Sequence, residues 1–226
     1  NQEEPSYAHA VGAVYRNSDP SDIVVTAAGG LVGEVVQVWK PKQLNTFETE
    51  WGFSCMGYEI SGALGIKMAK PDQDVVVFVG DGSYLLNNTD IYSSVIYDQK
   101  LIIIVCDNGG HMVINRLQLA KGGKEYICNL RAARATNLKF VDFENHAKSM
   151  GANAETVSST SELEAAYKRA KDSDKTYVIT IKTHGYEWLE GTAFWESPTL
   201  QDPITDNNKS ALEDFESGKS KQRKGV

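Results

Sequence analysis

Two runs of consecutive apolar residues constrain the fold of this chain more than any other feature of its sequence. The first is the part of DVVVFV (74–79) that follows its aspartate, and the second is LIIIVC (101–106). Strands that are buried on both faces of a parallel sheet read as continuous apolar runs, because neither face meets water. The two runs therefore predict central strands of a parallel sheet that is covered by helices on both sides.

The segments around these runs alternate between strand and helix patterns. They predict further strands over 22–27, 153–157 and 177–182, and helices over 6–16, 31–40, 56–69, 88–97, 143–150 and 160–171, the last capped by Thr160 or Ser161. Residues 41–53, 109–138 and 184–226 show no clear period, and we expect an irregular segment, a loop and a tail anchored by Trp188 and Trp195. This alternation predicts an α/β fold with a doubly wound, mainly parallel sheet flanked by helices.

The composition excludes several classes of partner. The net charge is −7, which disfavours nucleic acid and gives no attraction to an anionic membrane. No apolar stretch approaches the length of about 18 residues that a spanning helix needs. The three cysteines, Cys55, Cys106 and Cys128, form no CxxC motif, which favours reduced thiols and a cytoplasmic protein, with Cys106 as a small core residue.

Turns rich in glycine follow three of the predicted strands. They cover residues 28–30, 80–83 and 107–110. In an open parallel sheet the ligand crevice lies beyond the carboxyl ends of the strands. The three turns are therefore expected to share one binding site.

Asp81 stands between two glycines in the second of these turns. Gly82 and Ser83 lead toward a helix N-terminus, which favours an anion, yet the Asp81 carboxylate would repel a phosphate there. A Mg²⁺ ion resolves the conflict, because it bridges carboxylate, amide and phosphate oxygens. Asn108 follows 27 residues later and offers an amide oxygen, and a backbone carbonyl near Gly110 could complete the protein ligands.

Each of these turns also has a plainer interpretation. An Asp-Gly or Asn-Gly pair after a strand is most often only a turn, and both interpretations stay open at this point. Two other phosphate sites are disfavoured, because the chain matches neither GxGxxG nor GxxxxGK(S/T).

The Gly-Asp-Gly turn with its later asparagine resembles the cofactor motif of the thiamine-diphosphate-dependent enzymes. The resemblance implies thiamine diphosphate and Mg²⁺ as cofactors. It implies that Asp81, Asn108 and the carbonyl of Gly110 bind the metal, and that Gly82 and Ser83 hold the diphosphate.

A second stretch, FSCMGYEISGALG (53–65), is similar to the family segment in which a bulky apolar residue wedges beneath the cofactor. Met56 takes that place, although without the motif it would be interpreted as a core residue at a helix start. By the same resemblance, the Ser54 backbone would bind the aminopyrimidine. Gly29, Gly30 and Leu31 would line the cofactor from the first strand.

Four stretches, which include parts of those above, resemble the 3D-(3,5/4)-trihydroxycyclohexane-1,2-dione hydrolases of myo-inositol degradation: TAAGGLVGE, FSCMGYEI, GDGSYL and IVCDNGGHMVINRLQ. The resemblance implies hydrolytic C–C ring opening of a cyclic 1,2-diketone to 5-deoxy-D-glucuronate. The chain departs from the family pattern at Val32, usually proline, and at His111, usually aromatic. The resemblance assigns no catalytic residue to this chain. His111 is a candidate proton donor or substrate contact, with a surface residue as the alternative.

The resemblance also implies a domain organisation. It predicts a cofactor-binding domain over 1–185 and a C-terminal extension over 186–226. We expect the pyrimidine-binding domain, which carries the activating glutamate, to lie outside this chain. Each site would then form in a homo-oligomer, a dimer or dimer of dimers, with that domain from a neighbouring subunit.

Two other functions stay open on the sequence. The first is another thiamine-diphosphate enzyme, of the acetolactate synthase or 2-keto acid decarboxylase type. The second is an inactive fragment that only binds a diphosphate.

Overall fold

Six parallel strands form one sheet in the part of the chain that the structure describes, residues 4–134, 136–191, 197 and 199–223 of a computed structural model. The strands are β1 Ile23–Thr26, β2 Phe47–Thr49, β3 Val75–Gly80, β4 Ile102–Asp107, β5 Asn153–Val157 and β6 Tyr177–Lys182. Their order across the sheet is β2-β1-β3-β4-β6-β5, so the two apolar runs do form its centre. The predicted parallel sheet is confirmed.

Along the chain, helices precede, connect and follow the strands. They are α1 Tyr7–Arg16, α2 Gly29–Val38, α3 Tyr58–Ala69, α4 Asp81–Leu86, α5 Asp90–Ile96, α6 Met112–Ala120, α7 Phe143–Ser149, α8 Thr160–Asp172 and α9 Asp206–Ser220, with a short 3₁₀ helix at Leu130–Ala132. No helix among the described residues has both the length and the apolar character that crossing a membrane requires.

Alternate residues of the central strands enter two separate cores. Val76 and Phe78 of β3 pack with side chains of α1, α2 and α8 on one face of the sheet. Val77 and Val79 pack with side chains of α3, α4, α5 and α7 on the other face. Because successive side chains of a strand point to opposite faces, apolar residues at every position bury both faces, which makes the fold doubly wound.

The chain divides into two compact units. The first contains residues 4–110 and 139–188 and holds the whole sheet. The second contains the described residues of 111–138 and 189–223, with α6 and α9. The predicted domain boundary at residue 185 concerns the family domains and stays a prediction.

Several predicted boundaries are wrong. The helix predicted over 88–97 is confirmed as α5, Asp90–Ile96, but the separate helix α4 begins directly at Asp81, where only a turn was predicted. The segment over 41–53 contains the edge strand β2. Neither Thr160 nor Ser161 caps α8. The Ser159 hydroxyl takes that place and accepts a hydrogen bond from the Glu162 N–H at 3.2 Å.

The predicted loop over 109–138 and the predicted tail over 184–226 each contain a helix. In the first, α6 lies between glycine-rich flanks that obscure its short pattern. In the second, α9 buries only Ala211 and Phe215, four residues apart, and so leaves almost no apolar period to detect. Trp195, predicted as an anchor, lies outside the described residues.

Candidate functional site

The three glycine-rich turns lie at one edge of the sheet. They follow β1, β3 and β4, which are adjacent parallel strands, so their carboxyl ends point the same way. The three turns are therefore at the same edge of the sheet, and their sharing of one binding site stays a prediction. In parallel α/β sheets this edge is where ligands bind.

Asp81 is the first residue of α4 and is only 4% exposed. Its Oδ2 atom accepts a hydrogen bond from the Gly110 N–H at 2.7 Å, and its carboxylate also accepts one from the Gly82 N–H. A carboxylate in the first turn of a helix is favoured by the helix dipole. Asp81 thus joins the turns after β3 and β4.

The turn after β4 depends on two glycines. Gly109 has φ +82° and Gly110 has φ +142°, conformations that side-chain-bearing residues rarely adopt. Asp107 closes the turn, since its Oδ1 accepts a hydrogen bond from the Gly109 N–H at 3.0 Å. This path delivers the Gly110 N–H to Asp81. The role of the Gly110 carbonyl as a metal ligand stays a prediction.

The side chain of Asn108, in the same turn, has two polar atoms, and only one of them has a hydrogen-bond partner among the described residues. Its Nδ2 atom donates to the Tyr7 hydroxyl at 2.6 Å. Its Oδ1 atom is buried and has no hydrogen-bond partner among the described residues. Leaving a buried acceptor unsatisfied costs about 1–3 kcal/mol. An amide oxygen held in this way fits a ligand for a hard cation such as Mg²⁺.

Tyr7 is a member of this site that sequence reasoning missed. It lies in α1, 101 residues before Asn108, and no motif links the two. Burial first, and then the nearby Cys106 and Asp81, raise the pKa of Tyr7 well above its ordinary value. The phenol is therefore neutral, and its oxygen accepts the hydrogen bond from Asn108.

The charges at this edge are unbalanced. Burial, and then the negative charge of Asp107, raise the pKa of Asp81 to about 7. Among the described residues no ion pair reaches either carboxylate, and no group of three or more His, Cys, Asp or Glu side chains could hold a metal alone. Mg²⁺ commonly takes one or two carboxylates plus phosphate oxygens and water, so these residues fit it.

Ser83 lies in α4, but its hydroxyl is occupied inside the protein. It donates to the buried carboxylate of Glu59 at 2.8 Å and accepts a hydrogen bond from the Gly57 N–H at 2.8 Å. The predicted contact of Ser83 with a diphosphate would therefore use its backbone. That contact, and the one predicted for Gly82, stay predictions.

Glu59 is the second residue that sequence reasoning missed. It is 1% exposed and lies in the first turn of α3. Its position in the quoted FSCMGYEISGALG stretch, among small and apolar residues, was an available signal, because an ionisable residue in such surroundings is rarely buried without specific partners.

The segment before α3 carries Ser54 and Met56, both on the surface. Met56 is 39% exposed, so it is not a core residue. Ser54 is exposed and has φ +50°, which is uncommon for a residue other than glycine. The Glu50 carboxylate organises this turn by accepting hydrogen bonds from the N–H groups of Phe53 at 3.0 Å and Cys55 at 2.7 Å. Neither predicted cofactor contact is tested by these positions.

The remaining predicted residues are spread over the two units. Gly29, Gly30 and Leu31 form the first turn of α2, with Gly29 exposed and Leu31 buried. His111 is exposed and is the N-cap residue of α6, in the second unit. The roles of these four residues stay predictions.

Comparison with known proteins gives a family for this chain. A family model described as "Thiamine pyrophosphate enzyme, C-terminal TPP binding domain" matches residues 27–181. A curated relative from Halalkalibacterium halodurans, named 3D-(3,5/4)-trihydroxycyclohexane-1,2-dione hydrolase, is 36% identical over 192 residues, covering 82% of this chain and 30% of the relative. One of the same name from Lacticaseibacillus casei is 37% identical over 217 residues, covering 92% and 33%.

Solved structures show the same fold. A thiamine diphosphate-dependent 4-hydroxybenzoylformate decarboxylase from Rhodococcus jostii superposes with a TM-score of 0.67 at 19% identity, covering 79% of this chain and 32% of that one. A benzoylformate decarboxylase from Polynucleobacter necessarius has a TM-score of 0.67 at 21% identity, covering 79% and 33%. At these identities the likeness concerns the fold alone. The chain spans about a third of the length of the curated relatives it matches.

Proposed function

This chain belongs to the thiamine pyrophosphate enzymes, and we propose that its first unit holds the diphosphate of thiamine diphosphate through a Mg²⁺ ion. The observation that carries the proposal is the buried Oδ1 atom of Asn108, which has no hydrogen-bond partner in the described part of the chain. It lies in the turn that is hydrogen-bonded to Asp81, and no ion pair among the described residues reaches the Asp81 carboxylate. A bound Mg²⁺ would satisfy both groups.

Each predicted site residue would then have its own role in binding the cofactor. Asp81, Asn108 and the Gly110 carbonyl would hold the metal, and Gly82 and Ser83 would meet the diphosphate with their backbone. Met56 would support the cofactor from its exposed position before α3. When bound, thiamine diphosphate supplies the nucleophilic carbon and electron sink that C–C cleavage beside a carbonyl requires.

We further propose that the enzyme hydrolyses 3D-(3,5/4)-trihydroxycyclohexane-1,2-dione in myo-inositol catabolism. The names of the curated relatives support this substrate. The reaction adds one water across the C–C bond between the two carbonyl carbons, which opens the ring to 5-deoxy-D-glucuronate. In this chain His111 remains the candidate proton donor or substrate contact.

A neighbouring subunit would complete the site with a pyrimidine-binding domain. The support is the segment before α3, in which Trp51 is 50%, Phe53 89% and Met56 39% exposed. Grouped exposed apolar side chains are typical of surfaces that another protein covers. The protein would therefore act as a homo-oligomer. The free thiols of Cys55, Cys106 and Cys128 support a cytoplasmic setting.

Product analysis tests the reaction. The full-length protein, loaded with Mg²⁺ and thiamine diphosphate, is incubated with the cyclic diketone and, separately, with pyruvate. We expect 5-deoxy-D-glucuronate from the diketone and no product from pyruvate. Acetolactate or acetaldehyde from pyruvate, with the diketone unchanged, would replace the proposal by a synthase or decarboxylase.

The role of His111 is tested in the same assay. If His111 contacts the substrate or donates a proton, His111→Ala lowers turnover about 100-fold or more, as expected for loss of a general acid. Because His111 is exposed, the variant should fold normally. Unchanged turnover would remove His111 from the site.

A further inference from the structure

A single buried carboxylate connects three chain segments that each carry predicted cofactor residues. Glu59 accepts hydrogen bonds from the Ala28 N–H at 3.3 Å, the Gly57 N–H at 2.9 Å and the Ser83 hydroxyl at 2.8 Å. Its side chain is inaccessible to solvent, since the residue is 1% exposed. Three donors from three segments therefore converge on one anion.

Each donor lies next to a predicted contact with the cofactor. Ala28 precedes Gly29, and Gly57 follows Met56. Ser83 is itself predicted to meet the diphosphate. The carboxylate thus fixes the relative positions of the turn after β1, the turn before α3 and the start of α4.

The turn before α3 has little freedom of its own. Gly57 has φ +95°, and a Cβ atom at this position would lie 2.7 Å from the Cβ atom of Asn87. The Asn87 side chain donates to the Gly57 carbonyl at 3.2 Å, while Glu59 and Ser83 both accept from the Gly57 N–H. The position of the preceding Met56 therefore depends on the hydrogen bonds that Glu59 makes.

We infer that Glu59 is a positioning residue, which holds the segments that meet thiamine diphosphate in register without touching the cofactor. The inference rests on the proposed function. A residue that orients the ligating groups of a site is commonly worth about 10- to 100-fold in affinity or activity. The plainer role, in which Glu59 only stabilises the start of α3, predicts lost stability with unchanged affinity.

The test is calorimetric titration of the full-length protein with thiamine diphosphate at saturating Mg²⁺. In Glu59→Gln the shape is kept, but an amide NH₂ replaces one acceptor oxygen and faces a donor. We expect its Kd for thiamine diphosphate to rise about 10- to 100-fold. In Ser83→Ala, which removes one donor and keeps Glu59, we expect a smaller rise. Ser83→Ala decides the question alone if Glu59→Gln does not fold.

The matched control is Asp22→Asn. Asp22 is also a buried carboxylate with several hydrogen-bond donors, but it precedes β1 at the opposite end of the strands. We expect a lower melting temperature and an unchanged Kd.

The outcomes separate the two claims. If the wild-type protein binds the cofactor and both site variants bind it equally well, the positioning role is wrong and the proposed function stands. If the wild-type protein does not bind thiamine diphosphate with Mg²⁺, the proposed function fails and the positioning role fails with it.

Discussion

Buried carboxylates at the two ends of the sheet differ in whether the described residues provide them with a counter-ion. At the amino ends of the strands, Lys171 lies 2.7 Å from Asp22 and 3.4 Å from Asp74, and Lys100 lies 3.1 Å from Asp74. The Tyr167 hydroxyl also donates to Asp22 at 2.8 Å. At the carboxyl ends, Asp81 has backbone donors but no cation among the described residues.

The pKa directions follow this difference. Burial alone would lower the pKa of Lys171, but its hydrogen bonds to Asp19 and Asp22 raise it. At the other end, burial and Asp107 raise the pKa of Asp81. Among the described residues, counter-ions are therefore present at one end of the strands and absent at the other. A charge balanced within the chain is typical of a structural network, and an unbalanced one in a crevice indicates a ligand.

We expect the largest change in stability from a substitution at the amino ends of the strands, where the carboxylates have counter-ions. Asp22→Asn leaves Lys171 without its closest buried partner and weakens the acceptor of Tyr167. We expect the free energy of unfolding to fall by about 3–5 kcal/mol, as when one partner of a buried ion pair is removed. Urea unfolding without cofactor measures this. A loss as small as that of a surface ion pair would contradict the structural role of the network.

At the carboxyl ends of the strands, replacing the buried carboxylate should raise the free energy of unfolding instead of lowering it. Asp81→Asn removes a buried charge that has no counter-ion among the described residues, but it also removes one acceptor for the N–H groups of Gly82 and Gly110. Because the raised pKa of Asp81 shows that burial and Asp107 outweigh these hydrogen bonds, we expect the metal-free protein at pH 8 to gain about 1–3 kcal/mol in its free energy of unfolding. The same variant should lose Mg²⁺-dependent cofactor binding. A destabilised Asp81→Asn protein would show that the carboxylate is structural, like Asp22.

The difference in stability between the wild type and Asp81→Asn should depend on pH with a definite sign. The folded-state pKa of Asp81 is raised to about 7, so the folded protein keeps a proton that the unfolded chain releases near pH 4. The stability of the metal-free wild type relative to Asp81→Asn should therefore fall as the pH rises from about 4 to 7 and stay constant above. Unfolding curves of both proteins at several pH values measure it, and a difference that is independent of pH would refute the shift.

We expect a smaller change in stability and cofactor affinity when the Tyr7 hydroxyl, which is hydrogen-bonded to Asn108, is removed. Tyr7→Phe removes the acceptor of the Asn108 Nδ2 hydrogen bond, so we expect a loss of about 1 kcal/mol in stability. The Kd for thiamine diphosphate at saturating Mg²⁺ should rise about tenfold. The control is Tyr15→Phe in the same helix, which should leave the Kd unchanged. Equal Kd values in the two variants would remove Tyr7 from the site.

The sequence predicted the sheet well because its two central strands are formed by continuous apolar runs, over 75–79 and 102–106. The runs around Val77 and Ile103 allow only a strand with both faces covered, and both are fully buried. It also predicted that the turns at Asp81 and Asn108 meet, because parallel strands bring their carboxyl ends together. Periodicity failed where burial is slight, as in α9.

The parts of the site that were missed depend on contacts between distant residues. Tyr7 reaches Asn108 across 101 positions, and Ser83 reaches Glu59 across 24. Neither pair forms a local pattern, because the packing of α1 and α3 against the sheet places the side chains. Motifs therefore identified the residues beside the expected metal, and the structure was needed to find those that hold them.

The most direct test of the metal–diphosphate site is thermal melting of this chain with Mg²⁺, with thiamine diphosphate, and with both, beside Asp81→Ala. A ligand that binds the folded state raises the melting temperature. We predict a rise that requires both ligands and is absent in Asp81→Ala, with the same result in the full-length protein. An equal rise in the variant, or no rise in the full-length protein, would mean that Asp81 does not hold a cation against a diphosphate.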